Sequence, residues 1–262
     1  MRRTIIIAGT ALAVLAAASA AFAAGGLNTY RASIRFSSTK AGSARAPVPV
    51  GFTENYTAAN ATSGNRAAPL VDIKTSIYGL VSNGKDFPAC NGNKISALKT
   101  DSFCPPKALV ATGPVNALLG NPTLSTAGSP CNPFLHVWNG GQGRLWFFFT
   151  TSPTHYCLGL PTGSTAAYPG FISQHGKFMV TDVPLPPDVS TMVAHQPNFY
   201  GSLIKQVLTF RNVTTKVHGK TVGVTASVGC QGSKRPYKVS FTAVLGSQRQ
   251  TVSVSGSAPC HK

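Results

Sequence analysis

The chain has 262 residues, with 23 Lys+Arg against 6 Asp+Glu and a formal charge of +17, yet only 11% of it is charged. Glu54 is its single glutamate, and the scattered Asp72, Asp86, Asp101, Asp182 and Asp188 suggest no facing carboxylate pair of the kind glycoside hydrolysis needs. Solubility must rest on Ser, Thr, Asn and Gly, a composition that suits an exported β protein better than a cytosolic enzyme.

Residues 1–23 read as an export signal: Arg2 and Arg3 lead an apolar run, Ile5 to Ala18, too short for a comfortable membrane span. Ala21-Phe22-Ala23 is a small-x-small cleavage site, with Ala18-Ser19-Ala20 competing. Residues 24–262 are then one exported domain, with a sub-boundary within 160–200 as the alternative. Without Arg2 and Arg3 the excess of cations over carboxylates is still 15.

Period-2 alternation predicts strands at Tyr30–Phe36 and at Val71–Val81, a weaker one at Val48–Tyr56, and a loop at Ala58–Ala68. Next comes Phe87 to Gly113, a short loop closed by Cys90 and Cys104 that leads into an apolar strand. Six Cys allow 15 pairings, and sequence proximity selects 90–104, 131–157 and 230–260. No Cys or His has metal-ligand spacing, so structural disulfides are expected and no metal or cofactor is. Closing the 90–104 ring contributes about 3 kcal/mol by loop entropy.

The pattern Phe87-Pro88-x-Cys90, then Cys104-Pro105-x-x-Ala108-x-Val110-x-x-Gly113, then Cys131-x-x-x-Leu135-x-Val137-x-Asn139-Gly140 resembles a family of exported proteins from high-GC Gram-positive bacteria. Cys230 and Cys260 are similar to that family's C-terminal pattern. The resemblance implies architecture and export and supplies no catalytic residues.

Phe134–Phe149 reads as a hairpin around the loop Asn139-Gly140-Gly141-Gln142-Gly143, predicting pairs Trp138–Arg144, His136–Trp146 and Phe134–Phe148. Leu135, Val137, Leu145 and Phe147 form its core face. The opposite face, with His136, Trp138, Arg144, Trp146 and Phe148, is either a second core or a platform for sugar rings or cationic groups. Pro161–Pro197 reads as a stiff crossover, with an edge strand at Lys177–Thr181 and a loop that covers this face. Three strands near Val222–Val228, Tyr237–Ala243 and Val252–Val254 read as a meander. The spacing of Cys230 and Cys260 requires either that segments beyond the strand ends curl together or that those strands are not neighbours in that order.

Together these features predict an all-β fold: an antiparallel β-sandwich of one large or two small packed sheets, with three disulfides and long Pro/Gly-rich loops. From Val189 to Lys262 there are nine Lys/Arg and no carboxylate, which favours polyanionic partners, with Lys234, Arg235 and Lys238 as the expected patch. No HExxH, nucleophile elbow or phosphate loop is present, and the six His are isolated. The leading expectation is a non-catalytic secreted or cell-envelope domain that binds an anionic cell-wall polymer, a glycan or another envelope protein. A secreted hydrolase with a fold-assembled site is the alternative, and a carrier of an apolar ligand between sheets is the third reading. An apolar cavity would favour the carrier.

Overall fold

Alternating apolar residues build most of the strands. In the computed structural model, which describes residues 26–158 and 165–261, the first are β1 (Asn28–Phe36), β2 (Val48–Pro49), β3 (Phe52–Asn60), β4 (Leu70–Tyr78) and β5 (Leu80–Ser82). The signal expected at residues 1–23 lies outside the described residues. A short helix, α1 (Gly92–Leu98), precedes β6 (Leu109–Gly120), β7 (Ser129–Cys131), β8 (Phe134–Gly141) and β9 (Arg144–Thr150). Then come β10 (Tyr168–His175), β11 (Phe178–Pro184), β12 (Tyr200–Phe210), β13 (Thr214–Val217) and β14 (Lys220–Gly223). The last are β15 (Thr225–Ser227), β16 (Lys234–Leu245) and β17 (Gln248–Pro259).

The fold is all-β, with antiparallel sheets and three disulfides, as the alternation and the cysteines predict. One large sheet dominates, in the order β1-β3-β12-β6-β8-β9-β10-β11-β4-β16-β17, with β7 beside β6. It curls until its edges nearly meet, so its two walls face each other across a shared core. Side chains bridge the seam between β1 and β17. The Asn28 N–H donates to Gln250 Oε1 at 2.8 Å, and Gln250 Nε2 donates back to the Asn28 carbonyl at 3.4 Å. Tyr237 lies opposite Gly256 of β17, where any Cβ would collide with the phenol.

Inside, Tyr30 of β1 stacks on Phe241 of β16 at 4.5 Å, and Phe241 meets the edge of Tyr56 of β3 at 5.3 Å. These rings weld the two walls where the seam carries no ladder. One end of the barrel is closed by a small sheet, β2-β15-β5, and by the Cys230–Cys260 link. At the other end the strands diverge and long connections begin.

β6 runs through Gly113-Pro114 for 12 residues. Pro114 is exposed, and Gly113 lets the backbone of Val207 in β12 approach closely. The Pro-rich stretch does not reduce to an edge strand at 177–181: β10 and β11 form a hairpin in the middle of the large sheet. Pro169 and Pro184 lie beyond the β10–β11 ladder, which starts at Phe171–Asp182, and pair only with their other neighbours, Trp146 and Asp72. The C-terminal strands are not a meander either. β15 joins the small sheet, and β16 pairs with β4 and β17. Cys230 therefore reaches Cys260 from outside the large sheet, with Cα atoms 5.8 Å apart.

Candidate functional site

The β8–β9 hairpin turns more tightly than its glycine-rich loop suggests. Gln142 and Gly143 both have positive φ (51° and 75°), which suits a two-residue hairpin turn, and Gly141 pairs with Arg144. The register is thus two residues from the one expected. Trp138 faces Trp146, His136 faces Phe148 and Phe134 faces Thr150, instead of Trp138 facing Arg144. A shift of two preserves sidedness. Leu135, Val137, Leu145 and Phe147 lie in the main core, and the Trp face lies outside the barrel.

That outer face is covered mainly by the Cys90–Cys104 clip, and from the Pro-rich segment Ala167 packs beside it, its N–H donating to Ser96 Oγ at 3.0 Å. Asn91 caps α1 by accepting from Lys94 N–H at 3.1 Å, and Lys99 ends it in the left-handed region. The helix sets Ile95 and the disulfide onto Trp138 and Phe148, both buried, and lays Gly92 flat on Trp146, where a Cβ would collide with the indole. Arg144 is exposed and covers the Trp146 ring at 5.6 Å. Asp101 pins the clip: its Oδ2 lies 2.6 Å from His136 Nδ1 and accepts from Trp138 Nε1–H at 3.0 Å. Burial pushes the Asp101 pKa up, but the His136 contact and the indole N–H outweigh it and leave the carboxyl below its usual range. The face forms a second core, and no open aromatic platform remains.

The three expected basic residues also separate. Lys234 and Lys238 are exposed on one side of β16, whereas Arg235 points inward and is fully buried at the closed end. Its guanidinium lies 4.4 Å over the Phe36 ring and donates to Ser227 Oγ. Burial lowers its pKa. Alternation along β16 forces this, because Arg235 has the opposite parity to the outward Lys234 and Lys238.

The open end of the barrel holds a cavity of about 370 Å³. Its walls come from strands far apart in sequence: Ile73 of β4, Val115 and Leu119 of β6, Phe149 of β9, Tyr168 of β10 and Leu203 of β12. Leu185, Val189 and Val193 from the segment after β11 close one side. A β-bulge between Leu203 and Lys205 turns both Leu203 and Gln206 inward, although simple alternation would place them on opposite faces. The Cys131–Cys157 link lines the rim and holds the segment after β9 against β7.

Ile73, Tyr168, Leu185 and Gln206 also line a smaller void toward the barrel centre, of about 30 Å³, and Glu54 projects into it. Glu54 is only 5% exposed. Burial pushes its pKa up to about 7, even though hydrogen bonds from Tyr56 and Thr75 act the other way. The Tyr56 hydroxyl also lies 2.8 Å from Thr75 Oγ1 on the opposite wall. Glu54 was absent from the expected site residues. The legible signal was its parity with Phe52, Tyr56 and Ala58, which places it on the inner face of β3.

The groups that could support hydrolysis lie elsewhere. His136 has Asp101 as a partner, but no hydroxyl or thiol bonds to it among the described residues. Ser152 Oγ is 3.3 Å from His155 Nδ1 on an exposed turn, and no carboxylate bonds to that His among the described residues. Asp72 and Asp182 are neighbours on the outer face of β4 and β11, where burial and the Asp182 carboxylate push the Asp72 pKa up to about 6. Lys74 Nζ meets Asp182 at 2.7 Å. Among the described residues no group of three His, Cys, Asp or Glu could hold a metal ion. No known family model, curated protein or solved structure matches this chain.

Proposed function

We propose that residues 24–262 form a non-catalytic, extracytoplasmic carrier that holds an apolar small molecule at the open end of the barrel. The cavity of about 370 Å³ carries this reading. Its size falls within the ~300–1,000 Å³ of small-molecule sites, and its walls are aliphatic and aromatic with few polar groups. Three disulfides fit an oxidising compartment, and no helix among the described residues is long and apolar enough to cross a membrane.

Titration with N-phenyl-1-naphthylamine, whose fluorescence rises in apolar surroundings, tests the reading. Saturable binding is expected, and Leu203→Trp, which fills the cavity from β12, should abolish it with the circular dichroism unchanged. Absence of saturable binding, or binding indifferent to the filled cavity, would refute the carrier.

The exterior supports a second property. Among the described residues Lys74 is the one lysine or arginine in an ion pair, so the exposed Lys205, Lys234 and Lys238 present uncompensated charge. Such a surface draws the protein toward an anionic wall polymer or acidic glycan, and salt weakens the attraction.

A further inference from the structure

We infer that the ligand is a cationic amphiphile, an apolar tail with an ammonium head that reaches Glu54 at the inner end of the cavity. This rests on the reading that the cavity takes an apolar molecule, and it adds which one. The two voids share Ile73, Tyr168, Leu185 and Gln206, so a slender head entering past Gln206 and Tyr168 meets the Glu54 carboxyl next. Among the described residues none that lines either void is Lys, Arg or His. Among the described residues the one formal charge lining the two voids is therefore negative, and a carboxylate or phosphate head would face it without a counter-charge. An ammonium would instead form a desolvated ion pair with the carboxylate, beside the Tyr56 hydroxyl and Thr75 Oγ1, which lie 2.8 Å from each other.

The empty protein carries a cost that such a ligand relieves. A buried carboxyl without a cation is disfavoured as the anion, in keeping with its pKa of about 7. Other titratable groups near it are Tyr56 on β3, Tyr168 on β10 and Tyr237 on β16, all held above their ordinary range by burial. Asp188, in the turn after β11, acts on Tyr168. The surrounding faces of β4, β8, β9, β11 and β12 contribute Thr75, Leu135, Phe147, Thr181 and Gln206, none of which titrates. Glu54 alone therefore changes charge between pH 5 and 8 in this void, and an ammonium of pKa ~10 stays charged throughout. Binding must displace the Glu54 proton at low pH, so affinity should fall by up to about tenfold per unit below pH 7. The basic exterior slows encounter with a cation, but its field is screened within ~8 Å at physiological salt.

Calorimetric titration of the mature protein with n-octylamine, 1-octanol and octanoate, at pH 5.5 and 8, tests the inference. At pH 8 octylamine should bind at least ten times tighter than octanol, and most of that margin should vanish at pH 5.5. Glu54→Gln should reduce octylamine to the level of octanol and leave octanol unchanged. Equal binding of amine and alcohol, a preference for octanoate, or an octylamine affinity indifferent to pH would overturn the assignment while leaving the carrier intact. The pH comparison uses the unaltered protein, so it decides even where the variant fails to fold. Failure of octanol and octylamine alike would overturn both.

Discussion

Glu54 costs the fold stability as well as shaping the site. Its pKa rises from an ordinary value of 4.5 to about 7 on folding, so between those values the folded state binds more protons than the unfolded chain. Stability should therefore fall as pH rises through that window and level off above it, by on the order of 1–3 kcal/mol. Glu54→Gln should flatten this dependence and be the more stable protein at pH 8. Urea midpoints at pH 5 and 8 for both proteins measure this. Equal slopes would show that Glu54 is solvated in the folded state.

Arg235 and its neighbours allow a second comparison at the same scale. Lys234 and Lys238 face water, whereas Arg235 plugs the closed end over Phe36. Arg235→Ala should lower the urea midpoint, by about 2–4 kcal/mol in stability, because it removes packing over Phe36 and a buried hydrogen bond to Ser227. Retention on an anionic matrix should barely change. Lys234→Ser with Lys238→Ser should do the reverse, weakening salt-sensitive retention at nearly constant stability. Retention of the double Ser variant at the unaltered level would mean that the polymer-binding surface lies elsewhere.

Among the elements, the clip from Cys90 to Cys104 decides whether the β8–β9 hairpin is a surface or a core. It combines a disulfide, a one-helix lid and the Asp101 contacts to His136 and Trp138. Replacing both cysteines by Ser should cost about 3 kcal/mol and loosen the lid first. Iodide quenching of tryptophan fluorescence reports this directly. In the intact protein Trp138 should be inaccessible and the half-buried Trp146 only weakly quenched, and in the double Ser variant both should be quenched strongly. Strong quenching of Trp138 in the intact protein would contradict the burial described above.

The whole molecule is a single large sheet nearly closed on itself, and its two ends differ. The small sheet and Arg235 fill one end, and the other is left hollow, with long connections around it. The three links brace segments outside the main ladders, one closing the clip on itself, one at the rim of the cavity and one at the closed end. Non-reducing peptide maps of protein refolded from the reduced state should give these three links alone. A different set with retained probe binding would show that the rim link is dispensable.

Composition, parity and cysteine spacing by themselves determined the all-β class, the inner faces of β1, β4 and β9 and the three pairings. Each of these depends on interactions between near neighbours in sequence. Alternation is a property of one strand, and a half-cystine most easily finds the nearest partner along the chain. Which strands become neighbours was decided only in three dimensions. β10 and β11 entered the sheet because β9 and β4 offered edges on either side, which no local pattern in a Pro-rich stretch reveals. The cover on the tryptophan face, the burial of Arg235 and the meeting of Glu54 with Thr75 across the barrel have the same origin. The cavity does too, since its lining is drawn from Leu70 to Gln206 and one bulge in β12 sets its depth. Curvature and closure of a sheet sum small twists over all its strands, so they belong to the assembled sheet and to no segment of the chain.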